Sequence, residues 1–239
     1  MKVLFQILVC FALCLQTGAL DARTVPSSPR SCEAVNRVRP RLQSQFSEKN
    51  LEWGAPIFIR IFKESSDLEL WIRGKNGLFT LFQTYPVCTY GNGALGPKRA
   101  QGDGQAPEGF YFVTPNRLNP NSRFHLSFDI GYPNAYDRAN HRTGGFIAVH
   151  GGCASIGCFA MTDTTIEEIL TLAAAAFEKR QSFFRVHVFP FRMTDENMRK
   201  HRQNDVTEFC RNLLEGYNIF EIRRIPPDIV VRNRRYAFQ

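Results

Sequence analysis

Three consecutive segments in the first half of the chain alternate apolar and polar residues, and this pattern constrains the fold more than any other feature. They span residues 55–65, 67–74 and 77–87, with turn-forming residues between them. Successive side chains of a β-strand point to opposite faces, so a two-residue period indicates strands with one face buried. Short turns between such runs favour hairpin neighbours. We therefore predict a β-meander over this part of the chain.

Further strand patterns follow later in the chain. Residues 110–115, 123–133 and 183–191 resume the strand composition, and 144–151 is a short apolar run typical of a buried strand. That buried strand would end at His150. The glycine-rich segment 91–109 shows no periodicity and is predicted to be a long loop. It lacks the Gly-Lys-Ser/Thr ending of a phosphate-binding loop.

Two segments have helical patterns. Apolar residues recur at three- and four-residue spacing over 162–181, and Thr164 and Glu167 have the spacing of a capping box. Residues 194–217 form the second pattern, with Gly216 as its expected end. Strands and helices together predict a mixed, β-rich α/β domain.

The first 19 residues have the features of a secretory signal. Lys2 supplies a positive charge, an apolar run extends from Val3 to Leu15, and small residues lead to Ala19. The run is too short to span a bilayer. We expect cleavage after Ala19 and export to the periplasm or cell envelope, with no transmembrane span afterwards.

The rest of the chain divides into three expected segments. Residues 20–50 are interpreted as a linker with an N-terminal helical segment, and 51–224 as the folded domain. The proline- and arginine-rich tail at 225–239 is expected to be an extended arm on the surface.

The net charge and the number of cysteines indicate which partners and which compartment suit this chain. The formal net charge is +8, which outside the cell favours anionic envelope polymers over nucleic acid. Of the seven cysteines, five remain once residues 1–19 are removed. An internal disulfide uses two thiols, so at least one cysteine must have another role in an oxidising compartment.

Chemically active residues concentrate at 149–159, VHGGCASIGCF. The stretch does not complete a serine-hydrolase elbow, because Cys153 stands where Gly-x-Ser-x-Gly needs its first glycine. It does not supply a structural zinc site either, because the sequence has no second Cys-x-x-Cys or His-x-x-x-His cluster. We therefore expect neither a metal nor an organic cofactor. A thiolate nucleophile with a histidine base is the third candidate.

His150 and Cys158 are the residues that this chemistry would use. A free thiol has a pKa of roughly 8.5, so a neighbouring base or backbone N–H groups must activate it. Gly157 allows close approach to a substrate carbonyl, and the N–H groups of Gly157 and Cys158 would hold a developing oxyanion. The alternatives are an inert packed cysteine and a hydrogen-bonded core histidine.

The same stretch resembles the signature of YkuD-type L,D-transpeptidases, in which His-Gly at a strand end is followed by Ser-x-Gly-Cys. The short separation between His150 and Cys158 resembles the YafK-like branch of that family. Four further blocks agree in order: 95–113, 124–139, 157–163 and 189–198. The resemblance implies a YkuD-like fold, a curved sheet with packed helices.

Roles carried over from the family fall on this stretch. The resemblance implies that Cys158 is the nucleophile, that His150 is the base and that the Gly151 carbonyl orients the imidazole. Ser155 and Gly157 match the serine and glycine before the nucleophile.

One departure from the family pattern concerns the residues around the nucleophile. Ile156 stands where many relatives have a second histidine, and 159–161 are Phe-Ala-Met where relatives have an arginine or asparagine. A role in binding the donor or acceptor peptide, which relatives assign to these positions, is therefore not carried over to this chain.

The implied reaction is acyl transfer on peptidoglycan stem peptides. Cys158 would attack an amide carbonyl on the L-centre of diaminopimelate and form a thioester, which an amine converts into a cross-link or an attached protein. Water would give hydrolysis instead, as in an amidase that releases a wall-linked lipoprotein. A non-catalytic peptidoglycan-binding module is the further alternative.

Four residues outside the motif are candidates for substrate binding. His125 and Tyr132 would line the cleft, and Lys98 and Arg142 would hold a peptide carboxylate. Structural or solvated roles are open for each of them. Cys153 is also open among a resolving or regulatory thiol, inert packing, and a bridge to Cys88 or Cys210.

Overall fold

The computed structural model describes residues 25–202 and 207–239. The expected signal peptide at 1–19 lies outside the described residues. The helices are α1 (Pro29–Glu48), α2 (Ala135–Ala139), α3 (Asp163–Glu178), α4 (Asp195–Lys200) and α5 (Thr207–Arg223). The strands are β1 (Ile57–Phe62), β2 (Asp67–Arg73), β3 (Phe79–Pro86), β4 (Thr89–Tyr90), β5 (Gly109–Val113), β6 (Leu118–Asn119), β7 (Ser127–Asp129), β8 (Ala148–His150), β9 (Phe159–Ala160), β10 (Phe184–Phe189), β11 (Ile229–Arg232) and β12 (Arg235–Phe238).

The first sheet, called here the meander sheet, has five strands in the order β3-β2-β1-β10-β5. β1 pairs antiparallel with β2, and β2 pairs antiparallel with β3, so the predicted meander is confirmed. β1 also pairs with β10, in parallel. Every residue of β1 is buried, because its two faces pack into different clusters. Ile59 and Ile61 lie in the cluster that includes α1 and α3 residues, while Phe58 and Phe62 lie in clusters that include α5 residues.

The second sheet, called here the site sheet, has the order β4-β9-β8-β7-β6. Its central pair, β8 and β9, is parallel, and the other pairs are antiparallel. Helix α3 begins three residues after β9. Val149 of β8 and Phe159 of β9 are fully buried in the main core together with apolar residues of α3. The middle of the site sheet is therefore part of the main core, and the motif loop connects the end of β8 at His150 with the start of β9 at Phe159.

Helix α1 lies in the segment 20–50, where a linker and an N-terminal helical segment were expected, and it packs into the core. Its buried residues recur every four positions, as one helix face requires: Ala34, Val38, Leu42 and Phe46. All four lie in the main core. Arg37 adds an ion pair to Glu167 of α3, with a nitrogen–oxygen distance of 2.7 Å. The helix is continuous through Pro40, which faces solvent.

Two expected helix boundaries were wrong. Thr162, not Thr164, caps α3, because its hydroxyl accepts a hydrogen bond from the Thr165 N–H. Helix α5 continues through Gly216 to Arg223. An ideal Cβ at Gly216 would lie 2.5 Å from a Phe238 ring atom and 2.6 Å from a Phe110 ring atom. Gly216 therefore serves close packing and does not end the helix.

The tail forms a two-stranded hairpin, β11 and β12, instead of the expected extended arm. Tyr236 of this hairpin is buried, and the Asn212 side chain of α5 bonds both its backbone N–H and its carbonyl, at 2.8 and 2.9 Å. Backbone pairing within the tail satisfies hydrogen-bonding groups that an isolated arm would leave to water.

Candidate active site

The parallel pair β8–β9 brings the two ends of the motif together. Val149 pairs with Phe159 and His150 with Ala160, so Cys158 reaches the level of Ala148. The Ala148 N–H donates to the Cys158 sulfur at 3.3 Å. Residues two apart on a strand share a face, so Ala148 and His150 present their side chains to the same side. The structure thus brings His150 and Cys158 to one cavity.

The His150 ring is buried and held from two sides. Its Nδ1 lies 2.6 Å from the Gly151 carbonyl oxygen, and a carbonyl can only accept, so Nδ1 carries the proton. The Phe124 ring packs against the imidazole with a centroid distance of 4.6 Å and an interplanar angle of 34°. This tautomer leaves Nε2 as the nitrogen with a free lone pair.

The Cys158 thiol is half-buried, and its surroundings act in both directions. Burial, together with the negative charge of Asp129, raises the pKa of the Cys158 thiol above its ordinary value. The Ala148 N–H, the Ser155 hydroxyl and the positive charge of Lys98 oppose this rise. Because burial is the largest of these effects, the resting sulfur is a thiol.

Ser155 organises the backbone just before the cysteine. Its Oγ accepts hydrogen bonds from the Gly157 N–H at 3.1 Å and from the Cys158 N–H at 2.7 Å. These are the two donors that the sequence predicts for an oxyanion. In the structure they are directed at the Ser155 oxygen, and the Ser155 hydroxyl in turn favours the thiolate of Cys158.

The cavity that contains both residues has a volume of about 380 Å³. The loop 98–104 and residues 144–147 form its other walls. Two large apolar side chains at its rim face solvent: Phe146 is 89% exposed and Ile156 is 91% exposed. Both side chains therefore add apolar surface to the mouth of the cavity.

A disulfide between Cys88 and Cys153 joins the motif loop to the residue before β4. It selects one of the partners that the sequence left open. Of the described cysteines, Cys32, Cys158 and Cys210 are free. The bridge leaves Cys158 as the free thiol in the cavity, since Cys32 is exposed elsewhere and Cys210 is buried among apolar residues.

Lys98 and Tyr132 both make contacts that stabilise the loop 98–104. Lys98 lines the cavity, but its ammonium is paired with Asp103 at 2.5 Å and also donates to the Ala100 carbonyl. The buried Tyr132 hydroxyl donates to the Thr143 carbonyl at 3.1 Å and does not line the cavity. The structure therefore brings only the first of them to the cavity.

His125 and Arg142 lie away from the cavity wall. The His125 Nε2 is 2.7 Å from Glu167 Oε1, so its ring is directed towards α3. Arg142 pairs with the buried Asp137 at 2.8 Å and lies over the Tyr136 ring. Both side chains are occupied by structural partners in this conformation.

Two residues at the site were missed by the sequence analysis. Phe124 stacks on His150, and Asp163 accepts a hydrogen bond from the Gly152 N–H at 2.8 Å. Phe124 comes from the segment before β7, and Asp163 begins α3. No local spacing places either residue behind the motif, because both contacts depend on how β7 and α3 pack around β8.

The described residues form neither a metal cluster nor a membrane-spanning helix. Within 25–202 and 207–239, no three histidine, cysteine or acidic side chains converge as a metal site would require. No helix among these residues has the length and apolar character of a membrane span.

Comparison with known proteins identifies the chain's relatives. The family model described as the L,D-transpeptidase catalytic domain YkuD matches residues 57–187. The chain is 44% identical over 184 residues to YafK of Escherichia coli (strain K12), a protein provisionally named as an L,D-transpeptidase; the alignment covers 77% of this chain and 74% of YafK.

Solved structures give more distant similarities. A variant of the helical cell shape determining protein Pgp2 from Campylobacter jejuni aligns with a TM-score of 0.47 and 18% identity, over 71% of this chain and 57% of that one. Bd1075 of Bdellovibrio bacteriovorus aligns with a TM-score of 0.40 and 16% identity, over 75% of this chain and 78% of that one.

Proposed function

The chain belongs to the YkuD family of L,D-transpeptidase catalytic domains, and on this premise we propose that it is an exported cysteine acyltransferase acting on peptidoglycan stem peptides at diaminopimelate. The mixed α/β fold agrees with this family. The observation that carries the proposal is the pairing of His150, with its Nδ1 proton on the Gly151 carbonyl, and the half-buried Cys158 thiol in one cavity.

The first half of the reaction forms a thioester. His150 Nε2 takes the thiol proton as the Cys158 sulfur attacks the amide carbonyl on the L-centre of diaminopimelate. The carbonyl oxygen becomes an oxyanion, which the Ser155 hydroxyl stabilises. The C–N bond then breaks, and the imidazolium returns the proton to the leaving amine. The enzyme is now a thioester, His150 is neutral again, and the proton of the thiol has left on the amine.

The second half releases the acyl group. An acceptor amine attacks the thioester, His150 takes a proton from its nitrogen, and the Cys158 sulfur leaves and recovers that proton as a thiol. The new bond is an amide, so the net reaction exchanges one amine for another. No cofactor enters either half.

The raised pKa of Cys158 supports concerted base catalysis over a preformed thiolate. A buried thiol loses its proton with difficulty, so the base must act in the same step as the attack. Lys98 and the Ala148 N–H favour the thiolate as it forms.

The disulfide supports export to the periplasm or cell envelope. Structural disulfides persist in oxidising compartments and are rare where thiols are kept reduced. Together with the signal-like residues 1–19, the Cys88–Cys153 bridge favours an envelope protein.

Hydrolysis is the second candidate outcome, in which water replaces the acceptor amine. The exposed Phe146 and Ile156 at the rim support a substrate on which this outcome would release protein, because they offer apolar contact to a polypeptide joined to the stem peptide, as in a wall-linked lipoprotein. Both outcomes use the same thioester on Cys158.

The test is acylation of the mature protein followed by turnover. A carbapenem should add its mass to wild-type protein at Cys158, and the Cys158→Ala protein should stay unmodified, whereas Cys32→Ala, which removes an exposed free thiol, should react like wild type. In a separate reaction, unmodified wild-type protein should convert disaccharide-tetrapeptides into cross-linked products. If hydrolysis operates, it should release a free protein end from protein-linked muropeptides. Turnover retained by Cys158→Ala, or acylation at another cysteine only, would refute the mechanism.

A further inference from the structure

One peptide group connects the catalytic histidine to a carboxylate that the reaction does not otherwise use. This is the unit formed by the Gly151 carbonyl and the Gly152 N–H. Its oxygen accepts the hydrogen bond from His150 Nδ1 at 2.6 Å, and its N–H donates to Asp163 Oδ1 at 2.8 Å. The imidazole and the carboxylate therefore bind opposite ends of the same planar dipole.

The local structure permits this contact only with glycines in the turn. An ideal Cβ at Gly151 would lie 2.5 Å from Asp163 Oδ1 and 3.0 Å from the Phe124 carbonyl oxygen. Any side chain at this position would displace the carboxylate or the turn before β7. Gly152 has a φ of +81°, a left-handed conformation that favours glycine. The two glycines let the turn pass close to the start of α3.

The Asp163 carboxylate is not used to cap α3. The cap of α3 comes from the Thr162 hydroxyl, which bonds the Thr165 N–H, and not from the carboxylate of Asp163. Among the ion pairs of the described residues, none involves Asp163. The carboxylate is exposed to solvent, and it accepts from the Gly152 N–H without an ion-pair partner among the described residues.

We propose that Asp163 is a positioning residue that acts on His150 through the Gly151–Gly152 peptide, forming a carboxylate–peptide–imidazole relay. A charged acceptor on the N–H draws electron density towards the carbonyl oxygen, and hydrogen bonds in such a chain strengthen one another. The stronger carbonyl acceptor holds the proton on Nδ1 and stabilises the imidazolium that forms when Cys158 is deprotonated.

The role corresponds to that of a carboxylate bonded directly to a catalytic histidine, with one peptide group inserted between them. This inference rests on the proposed function of His150 and Cys158. A purely structural role, in which Asp163 only anchors the turn, is the competing explanation and predicts that a neutral acceptor serves equally well.

The test compares Asp163→Asn with Asp195→Asn. The asparagine amide oxygen can still accept from the Gly152 N–H, but the charge is removed. Asp195 is a matched control, because it is also the first residue of a helix that follows a capping threonine. We expect the carbapenem acylation rate of Asp163→Asn to fall about tenfold, and that of Asp195→Asn to equal wild type. Wild-type acylation by Asp163→Asn would overturn the relay.

A second readout does not depend on turnover. In the Cys158→Ser protein, nitrogen NMR of histidine side chains reports which ring nitrogen carries the proton, and the His150 signals are assigned by their absence from a His150→Gln protein. With Asp163→Asn, we expect the population protonated at Nδ1 to fall and the Nδ1 proton resonance to move upfield. Signals that stay unchanged would overturn the relay even if acylation slows. Failure of wild-type protein to acylate would refute the proposed function instead, and the NMR comparison would still decide the relay.

Discussion

Removing the Cys88–Cys153 disulfide should destabilise the domain strongly and slow the acylation of Cys158. The bridge joins residues 65 positions apart. A cross-link that closes a loop of this length removes unfolded-chain entropy equivalent to about 4 kcal/mol. For a domain of this size, each kcal/mol corresponds to roughly 2–4 °C in Tm, so the Cys88→Ala/Cys153→Ala protein should melt about 8–16 °C lower.

The effect on the site follows from the position of Cys153 in the loop 151–158. The bridge holds this part of the loop together with two hydrogen bonds, from the Cys153 N–H to the Met161 carbonyl and from the Gly152 N–H to Asp163. Without the bridge, Ser155 spends less time in the geometry that it needs beside Cys158. We expect acylation to be several-fold slower, because catalytic groups lose effectiveness when their positions fluctuate.

The assay is chemical and thermal unfolding with and without a reducing agent. Wild-type protein in dithiothreitol should unfold like the double variant, whereas the double variant should be insensitive to dithiothreitol. Cys32→Ala, which removes an exposed free thiol, serves as the control and should keep the wild-type midpoint and its redox sensitivity. A loss below about 1 kcal/mol in the double variant would refute the loop-closure argument. Unchanged acylation would refute the role of the bridge in holding the motif loop.

Three other consequences of the structure can be measured. In a His150→Ala protein, alkylation of Cys158 by iodoacetamide should keep rising with pH beyond the usual cysteine range near 8.5, because burial raises the pKa of this thiol. Burial would raise the pKa of Asp103, but the N–H and ammonium donors around it outweigh burial and lower the pKa to about 2. Its contribution to stability should therefore be complete above about pH 4 and be lost as the pH falls towards 2. Gly216→Ala should destabilise the domain by about 1–3 kcal/mol in denaturant unfolding, because the added methyl would lie 2.5 Å from Phe238.

Each of these has an outcome that contradicts it. A Cys158 alkylation rate that levels off by pH 7 would show a thiolate at rest. An Asp103→Asn protein with the same acid-unfolding curve as wild type would show that the carboxylate adds no stability. A gain of about 1 kcal/mol in Gly216→Ala would mean that helix propensity dominates over the close packing.

The parts of the fold that the sequence predicted correctly are those that depend on local patterns. The meander β1–β3, the strand β10 and the helix α3 each follow from a two-residue or a 3.6-residue period in their own segment. The parts that it predicted wrongly depend on contacts with distant segments. Gly216 looked like a helix end, but the ring of Phe238 explains why a glycine stands there.

The same division applies to the candidate site. The spacing in 149–159 was enough to select His150 and Cys158, and their catalytic roles stay a prediction that the acylation assay tests. The sequence did not place Lys98 in its ion pair with Asp103, nor His125 against Glu167. Those pairings depend on how a loop and a helix approach the strands.

By itself, then, the sequence determined the strand and helix periods and the family signature. It also determined that one short stretch contains a histidine, two cysteines and three glycines. Only the tertiary structure decided that Cys88 is the partner of Cys153 and that Asp163 lies behind the peptide of Gly151. The physical reason is the distance along the chain over which each effect acts. Periodicity and glycine conformations act over a few residues, whereas a disulfide across 65 positions and a carboxylate from the next helix are set by how the sheets and helices pack.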